Sequence, residues 1–365
     1  MQRLSYRLTT EIADRAPVRI IKWGHSQRWL PLFLPYALIY ALWLLMSKPI
    51  SLIHLGDPLL SPLGVILRRL RRVPVVVTAH GLDVIYPNPL YQRVVIPCLR
   101  RLDRVVCISR HALDECVRRG VDKRRCKIIP PGIDIPPDEE WQMRRTALAD
   151  RAPHLNRLCG RPAPSAGHVL ITVGRLVRRK GVAPFVMQAL PRLLGRRDDW
   201  IYLVVGDGPE RRAIEEAIDT AGLNDKVYLL GATSENDLKD LYALADLFVM
   251  PNVPVKDDCE GFGIVSLEAR AAGLPVVAAD LEGIREAMGS DEGGLLVPPE
   301  DYDAFVEAID HLLDCGRSDE SYRRIRESVA RRYCWSTIAD RYLVLFDRVR
   351  QHDELLRRGS VADHR

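Results

Sequence analysis

The chain has 365 residues, of which 47% are hydrophobic and 28% charged, with a net charge of +5. This length allows two domains of ordinary size, and the composition describes a soluble globular protein rather than a disordered one. The charge is unevenly spread, because residues 1–150 hold 24 basic and 13 acidic side chains whereas the remaining residues are net acidic. This imbalance predicts that the first half meets an anionic partner.

The first elements are an amphipathic helix predicted over residues 3–14 and a short strand predicted at Val18–Lys22. The next segment, from Trp29 to Met46, holds no charged residue. Prolines interrupt its first turns, so it predicts a buried or interfacial helix rather than a membrane span. The basic run at residues 68–72 fits either a solvated helix end or a contact with an anionic membrane surface.

Two series of alternating strands and helices follow. In the first series, strand-like runs lie at 50–55, 74–79, 104–109 and 127–130. In the second series they lie at 169–173, 201–205, 227–230, 247–250, 275–279 and 295–297. Strands that alternate with helices predict βαβ units and parallel sheets. The predicted fold class is therefore α/β, with two Rossmann-like domains in tandem.

Proline, glycine and small residues between the two series predict a linker at 161–168. The first Rossmann-like domain is then expected at 1–160 and the second at 169–333. A C-terminal helix at 334–350 is expected to pack back across the domains, followed by a polar tail at 351–365.

The stretch from Cys259 to Pro275 contains the clearest candidate site. Glu260 directly precedes the glycines of the loop 261–263, a helical pattern follows, and Glu268 comes eight residues after Glu260. Glycines and the free N–H groups at a helix start favour an anion such as diphosphate. Along a helix, two carboxylates at this spacing would be roughly 12 Å apart. The arrangement suits a nucleotide sugar, and the alternative is a solvated helix start with two surface acids.

Other candidate residues follow predicted strands. Arg175 and Lys180 lie on the loop after the first strand of the second series, where they could converge on phosphates or form a basic surface loop. His80 follows a strand of the first series and is either structural or able to donate a hydrogen bond to a sugar or polarise one. Asp301 and Asp303 form a DxD pair, but they open a helix, where acids favour the dipole. No metal site is therefore predicted there.

The eight cysteines contain no CxxC pair and have none of the common zinc spacings, which is typical of reduced thiols in a cytoplasmic protein. No signal peptide is recognisable.

Several motifs match one known family. They are HGLD at 80–83, VCIS at 106–109, IIPPGID at 128–134, VGRLVRRKG at 173–181, VGDGPER at 205–211, EGFGIVSLEARAAGLPVVA at 260–278, EGIREAM at 282–288 and GGLLVPPED at 293–301. With these motifs the chain resembles the retaining family-4 glycosyltransferases of GT-B fold, in which two Rossmann-like domains face across a cleft. The two glutamates with seven residues between them are the most specific part of the resemblance, which covers nearly the whole chain.

The resemblance implies a role for each matching residue. Arg175 and Lys180 would bind and neutralise the donor diphosphate, and the glycine loop would cap the phosphates. Glu260 would hold hydroxyls of the transferred sugar and Glu268 those of the ribose. The implied set is catalytic His80 and Glu260, donor-binding Arg175, Lys180, Gly261, Phe262, Gly263, Ile264 and Glu268, and acceptor-binding Asp83. Retaining members are described as reacting on one face of the sugar, so no protein nucleophile is assigned.

The expected activity is transfer of a hexose from a UDP-, GDP- or ADP-linked donor to a lipid-linked or polysaccharide acceptor in cell-envelope or exopolysaccharide synthesis. The expected enzyme needs no metal or cofactor and binds no nucleic acid. We expect it in the cytoplasm, peripheral on the inner face of the plasma membrane, with its basic first domain against anionic lipid.

Two alternatives differ in class. One is a GT-B-fold phosphorylase or nucleotide-sugar epimerase, and the other is a non-catalytic, membrane-associated sugar-binding partner. The second alternative arises because the family normally begins with a strand and a glycine-rich loop, and the sequence given starts at what looks like the first helix. Either the recorded start is late or one side of the cleft is incomplete.

Overall fold

The structure of the chain, a computed structural model, describes residues 2–22, 30–162, 167–256, 258–289, 293–316 and 318–362. Contacts divide it into two units, Met1–Gly132 with Trp335–Arg365, and Ile133–Cys334. Each unit contains one sheet in which every paired strand is parallel. The predicted α/β fold class with two Rossmann-like units is confirmed.

The strands are β1 (Ile53–Leu55), β2 (Val75–Ala79), β3 (Arg104–Cys107), β4 (Cys126–Ile128), β5 (His168–Val173), β6 (Trp200–Val205), β7 (Val227–Gly231), β8 (Leu247–Met250), β9 (Val276–Ala279) and β10 (Gly294–Val297). The helices are α1 (Gln2–Ala13), α2 (Leu30–Ser47), α3 (Ser61–Arg71), α4 (Pro89–Leu99), α5 (Arg110–Arg118), α6 (Asp138–Ala147), α7 (Arg151–Cys159), α8 (Val182–Gln188), α9 (Leu190–Leu194), α10 (Arg211–Ala221), α11 (Glu235–Leu244), α12 (Ile264–Ala271), α13 (Glu282–Met288), α14 (Tyr302–Asp314), α15 (Asp319–Tyr333) and α16 (Trp335–Ala362).

The first unit is built on a four-stranded sheet of order β1-β2-β3-β4. One of its two central strands, β2, is buried along its whole length, as expected for a β-branched run that is covered on both faces. Leu8 and Ile12 of α1 share one apolar cluster with Val76 and with Ile338 of α16. The last helix of the chain therefore completes the core of the first unit.

A buried polar chain joins α16 to this sheet. His54 Nε2 lies 2.9 Å from Thr78 Oγ1, which lies 3.0 Å from the hydroxyl of Tyr342. Burial, with a smaller contribution from His80, lowers the pKa of His54 to about 4. The imidazole is therefore neutral in the folded protein at neutral pH.

The second unit is built on a six-stranded sheet of order β10-β9-β8-β5-β6-β7. Counted from β5, this is the 3-2-1-4-5-6 order of dinucleotide-binding folds, with its switch point between β5 and β8. Side chains alternate along β5, so that Leu170 joins one apolar cluster with Phe185 while Ile171 joins the other with Trp141. Both faces are covered, which explains why these strands are continuously apolar.

Three predicted segments differ in the structure. Residues 18–22 form no strand, and Val18 packs instead against the cluster of α1 and α16. Residues 133–160, which the predicted linker at 161–168 assigned to the first domain, pack with the second unit because Trp141 and Leu155 enter its core. The predicted tail at 351–365 is helical as far as Ala362, and residues 163–166 of the predicted linker lie outside the described residues.

The uncharged segment forms α2 as predicted, and Trp29 lies outside the described residues. Phe33, Ala37 and Leu44 are buried, whereas several large apolar side chains of the same helix are exposed. Over the part of the chain that the structure describes, we find no helix with the length and apolar character needed to cross a membrane.

The neutral state of His54 predicts a pH dependence of stability. The pKa of His54 is lower in the folded than in the unfolded protein, so the unfolded chain takes up the extra proton as the pH falls below about 6.5. In the wild type, this protonation is expected to lower the free energy of unfolding by about 2 kcal/mol between pH 7 and pH 5. In His54→Gln this contribution is absent, so the decrease over the same pH range should be about 2 kcal/mol smaller. Urea denaturation at both pH values measures this difference. His352→Gln, at an exposed histidine, is the control, and equal slopes for His54→Gln and wild type would contradict the prediction.

Candidate active site

The loops that follow β5 and β8 meet at the switch point of the second sheet. The backbone N–H of Val253 donates a hydrogen bond of 3.0 Å to the carbonyl of Arg179. Gly181 has φ +64°, and a Cβ atom at this position would lie 2.0 Å from the carbonyl oxygen of Pro251. Only glycine allows the two backbones to approach this closely.

A buried ion pair joins the same two loops. Lys180 Nζ lies 2.7 Å from Glu260 Oε2, and the two side chains are 9% and 15% exposed. Arg179 Nε lies 3.5 Å from the same oxygen, and its Nη1 lies 2.7 Å from Asp258 Oδ1. Asn252 Nδ2 donates to Glu260 Oε2 at 3.4 Å. Two of the predicted site residues, Lys180 and Glu260, are thus brought into direct contact.

The electrostatics of Glu260 follow from this arrangement. Burial acts to raise the pKa of its carboxyl, but the charges of Lys180 and Arg179 and the bond from Asn252 outweigh burial and hold the pKa below its usual value. Glu260 is therefore ionised at neutral pH, and its charge holds two cations at the carboxyl end of the sheet.

The glycine loop leads from Glu260 into α12. Gly263 caps the helix with φ 72°, and Ile264 is the first helical residue. Phe262 is buried, with its ring 6.0 Å from that of Tyr333. Glu260 precedes the helix by four residues, so the two predicted glutamates do not lie on one helix. The backbone N–H groups at the start of α12 are nevertheless in the predicted position, directly after the loop.

Glu268 lies in the second turn of α12 and is partly buried. It neighbours Tyr242 of α11. Burial and then the charge of Glu268 raise the pKa of Tyr242 well above its usual value. The two glutamates therefore have different surroundings, since Glu260 faces cations and Glu268 faces a buried phenol.

Arg175 lies two residues after the end of β5, beyond Gly174, and has an exposed side chain. The DxD pair has the structural role that its position predicts, because Asp301 caps α14 by accepting from Ala304 N, and Asp303 lies 2.9 Å from Arg192. Within the described ranges, no group of three or more histidine, cysteine or acidic side chains could hold a metal ion.

The predicted residues of the first unit lie after β2. His80 Nε2 lies 3.2 Å from the carbonyl oxygen of Gly56, which assigns the ring proton to Nε2. His80 Nδ1 is then a buried acceptor without a hydrogen bond to any described residue. The carboxylate of Asp83 accepts hydrogen bonds from His80 N and Val84 N. Burial, opposed by His80, raises the pKa of Asp83 to about 6.

Sequence reasoning missed three residues of the ion-pair site and one residue of the first unit. Arg179, Asn252 and Asp258 all contact the network around Glu260, and Tyr91 lies close enough to Asp83 for its pKa to be raised by that charge as well as by burial. Asn252 is the first polar residue after β8, so its place at the switch point was the signal for it. No local pattern distinguishes Arg179 from the other basic residues around it.

A mutant cycle tests the buried ion pair. Glu260→Gln leaves Lys180 buried beside a neutral amide, so we expect a loss of about 1–3 kcal/mol in the free energy of unfolding at pH 7. The double variant Lys180→Met/Glu260→Gln is expected to recover part of that loss because no unpaired charge remains. The lowered pKa of Glu260 means that the difference between Glu260→Gln and wild type narrows below about pH 4.

Urea denaturation of the two single variants and the double variant measures the coupling. The matched control is Asp280→Asn, which breaks an ion pair with Arg285, a side chain that is 66% exposed. That variant is expected to change stability by less than about 0.5 kcal/mol. Additive losses in the double variant would show that the two side chains are not coupled.

The close approach at Gly181 gives a second prediction. Gly181→Ala introduces both a left-handed alanine and a collision with the Pro251 carbonyl, so we expect a loss of at least about 2 kcal/mol. Gly222 has nearly the same φ, +65°, but a Cβ there meets no atom within 4 Å. Gly222→Ala therefore measures the backbone strain alone, by the same denaturation experiment. Equal losses in the two variants would contradict the tight contact between the loops.

The chain matches two family models. Residues 161–332 match the model described as Glycosyl transferases group 1, and residues 4–136 match the model described as Glycosyltransferase Family 4. Together the matches span most of the chain and both structural units.

Individual proteins show the same similarity. An uncharacterised glycosyltransferase of Methanocaldococcus jannaschii is 27% identical over 88% of this chain and 81% of its own length. The phosphatidyl-myo-inositol mannosyltransferase of Mycobacterium leprae is 28% identical over 84% of this chain and 75% of its own length.

Among solved structures, Anabaena HepE in complex with UDP aligns with a TM-score of 0.68 at 20% identity. The alignment covers 93% of this chain and 88% of HepE. With the two family matches and the two parallel sheets, these similarities confirm the resemblance drawn from the motifs, and the chain belongs to the family-4, group 1 glycosyltransferases of GT-B fold.

Proposed function

We propose that the protein is a retaining glycosyltransferase that moves a sugar from a nucleotide-diphosphate sugar to a lipid-linked or polysaccharide acceptor. The observation that carries the donor assignment is the buried pair of Lys180 and Glu260, with Arg179 beside it, at the switch point of the second sheet. In open α/β sheets, ligands bind at the carboxyl ends of the strands at this point.

The charge of the site suits a diphosphate. Arg179 and Lys180 contact the carboxylates of Asp258 and Glu260, and the same loop also carries Arg175 and Arg178. The excess positive charge and the free N–H groups at the start of α12 favour the diphosphate, and more so as negative charge develops on the leaving group. Arg175 is exposed, so it can reach a ligand without breaking an internal ion pair. The UDP bound to HepE, a protein of the same fold, supports a nucleotide donor.

The transferred sugar is assigned to the carboxylate of Glu260 and the amide of Asn252. Asn252 Nδ2 must face the carboxylate, so Oδ1 points away from it, and this buried oxygen has no hydrogen-bond partner in the described chain. Such an acceptor suits a sugar hydroxyl. His80 Nδ1 is likewise an acceptor, so His80 would receive a hydrogen bond from a hydroxyl rather than donate one.

The proposed step breaks the bond between the anomeric carbon and the donor phosphate oxygen. A bond between that carbon and the acceptor oxygen forms on the same face of the sugar. The acceptor proton passes to the departing phosphate oxygen, while Arg175 and Lys180 neutralise the charge left on the diphosphate. This series of bond changes requires no protein nucleophile. We also propose that it requires no metal ion or other cofactor.

The acceptor proposal rests on charge and on a relative. The first 150 residues are strongly basic, and the mycobacterial relative is named for mannosyl transfer to a phosphatidylinositol. We therefore propose an acceptor of cell-envelope or exopolysaccharide synthesis at the cytoplasmic membrane surface, with Asp83 and the loop after β2 on the acceptor side. The proposed donor nucleotide is UDP, GDP or ADP, and a binding screen distinguishes among them.

A binding screen tests the donor site. We expect one of UDP, GDP and ADP to raise the melting temperature saturably, since ligand at 100 times its Kd adds about 2.7 kcal/mol of stability. Lys180→Met and Arg175→Ala should each weaken that binding about tenfold or more, because each removes a charge-assisted contact to phosphate. Binding and sugar transfer are expected to persist in excess EDTA.

Arg212→Ala is the matched control, because this arginine of α10 is 87% exposed and its ion-pair partner among the described residues is Glu216, one turn along the same helix. Absence of saturable binding of all three nucleotides and their sugars would overturn the donor proposal. Dependence on free phosphate, or epimerisation of the donor without acceptor, would overturn the transfer step while keeping the donor site.

A further inference from the structure

The outward face of α2 carries a continuous row of exposed apolar side chains. The row, here called the apolar stripe, consists of Leu32, Tyr36, Ile39, Trp43 and Met46, whose exposed fractions run from 55% to 75%. Its members follow one another at intervals of four and three residues, so they lie on one side of the helix. Exposed apolar surface on this scale marks an interaction site.

The ring of Tyr40, beside the apolar stripe, lies between the rings of Tyr36 and Trp43. The ring centroids of Tyr36 and Tyr40 are 5.9 Å apart and those of Tyr40 and Trp43 are 5.6 Å apart, both pairs in stacked arrangements. Tyrosine and tryptophan combine an apolar ring with a polar group, and they are enriched where proteins meet the boundary between lipid and water.

A basic rim borders the apolar stripe. Helix α3 contacts α2, and Arg71 Nη2 donates to the carbonyl of Leu45 at 2.8 Å. Arg69, Arg71 and Arg72 form no ion pair with any residue that the structure describes, and Lys48 follows α2 directly. Residues 30–72 contain five basic side chains and a single acidic one. This charge is complementary to an anionic surface.

The composition of α2 disfavours coiled-coil pairing with the same helix of a second copy of the chain. Spacings of four and three residues also occur in coiled coils, but those helices carry charged residues beside the seam that remain in water and select the partner. Helix α2 has no charged residue at all. One side of α2 packs on the first unit and the other side is exposed and apolar. With the neighbouring arginines, this exposed side matches the acyl and headgroup layers of an anionic lipid bilayer.

We propose that the apolar stripe and its basic rim dock the first unit on an anionic lipid bilayer, with α2 lying in the plane of the interface. The helix has 18 residues, so its long axis would run about 27 Å along the surface. The inference rests on the proposed function only in that a lipid-linked acceptor would then be met at the same surface. The docking itself requires neither donor binding nor catalysis.

Flotation of the full chain with vesicles tests this surface. We expect the protein to float with phosphatidylcholine vesicles that contain about 30% phosphatidylglycerol, and at least tenfold less with phosphatidylcholine alone or in high salt. Ile39→Glu/Trp43→Glu should lower the partition coefficient at least tenfold on anionic vesicles. Arg69→Glu/Arg72→Glu should lower it at least about 25-fold, because each basic residue near such a surface contributes about fivefold.

The control is Met143→Glu, which places the same charge at a methionine on α6 that is 67% exposed. It should float like the wild type, and all variants should keep the melting temperature and nucleotide binding of the wild type. Absence of flotation on anionic vesicles would overturn the proposal. Loss of a dimer in Ile39→Glu/Trp43→Glu, measured by light scattering, would overturn it in favour of a second copy of the chain. Failure of the nucleotide screen alone leaves the docking result unaffected.

Discussion

The contact between Lys180 and Glu260 joins two loops whose ends are 80 residues apart in the chain. Because a buried charge is costly without a partner, each of these side chains holds the other in place. The backbone bond from Val253 to Arg179 and the glycine at position 181 bring the same loops into direct contact. The proposed donor contacts at this sheet edge therefore depend on the contact between the two loops. This contact also keeps the positive charges of Lys180 and Arg179 at this edge, where they can interact with a bound diphosphate as well as with Glu260.

Both units place polar side chains on the loops after their parallel strands, but the side chains differ in chemistry. In both, parallel strands end in loops that carry the polar side chains, while both faces of the sheet are used for packing. The second unit assembles a charged network of Lys180, Arg179 and Glu260. In the first unit, by contrast, the buried Nδ1 of His80 has no hydrogen bond to any described residue, and burial raises the pKa of Asp83 to about 6. This difference suits a phosphate site in one unit and a hydroxyl site in the other.

Predictions from the sequence were correct for elements that have a strong local signal. They were wrong where packing between residues far apart in the chain determines the structure. Every strand of the second sheet was predicted within a residue or two, because each is a buried apolar run between helices. The domain boundary was misplaced, since the proline-rich segment at 161–168 resembles a linker while Trp141 and Leu155 insert into the second core. Residues 351–362 look like a polar tail, yet they continue α16.

By itself, the sequence determined the α/β class, the family and the residue types of the proposed donor site, because glycine loops, β-branched runs and the spacing of Glu260 and Glu268 are local properties. Only the tertiary structure decided that Lys180 pairs with Glu260, that Asn252 supports the pair, and that one apolar side of α2 is exposed. The Lys180–Glu260 contact joins segments far apart in the chain, and the exposure of α2 depends on how distant segments pack around it. No periodicity along the sequence encodes which loop ends meet at a sheet edge.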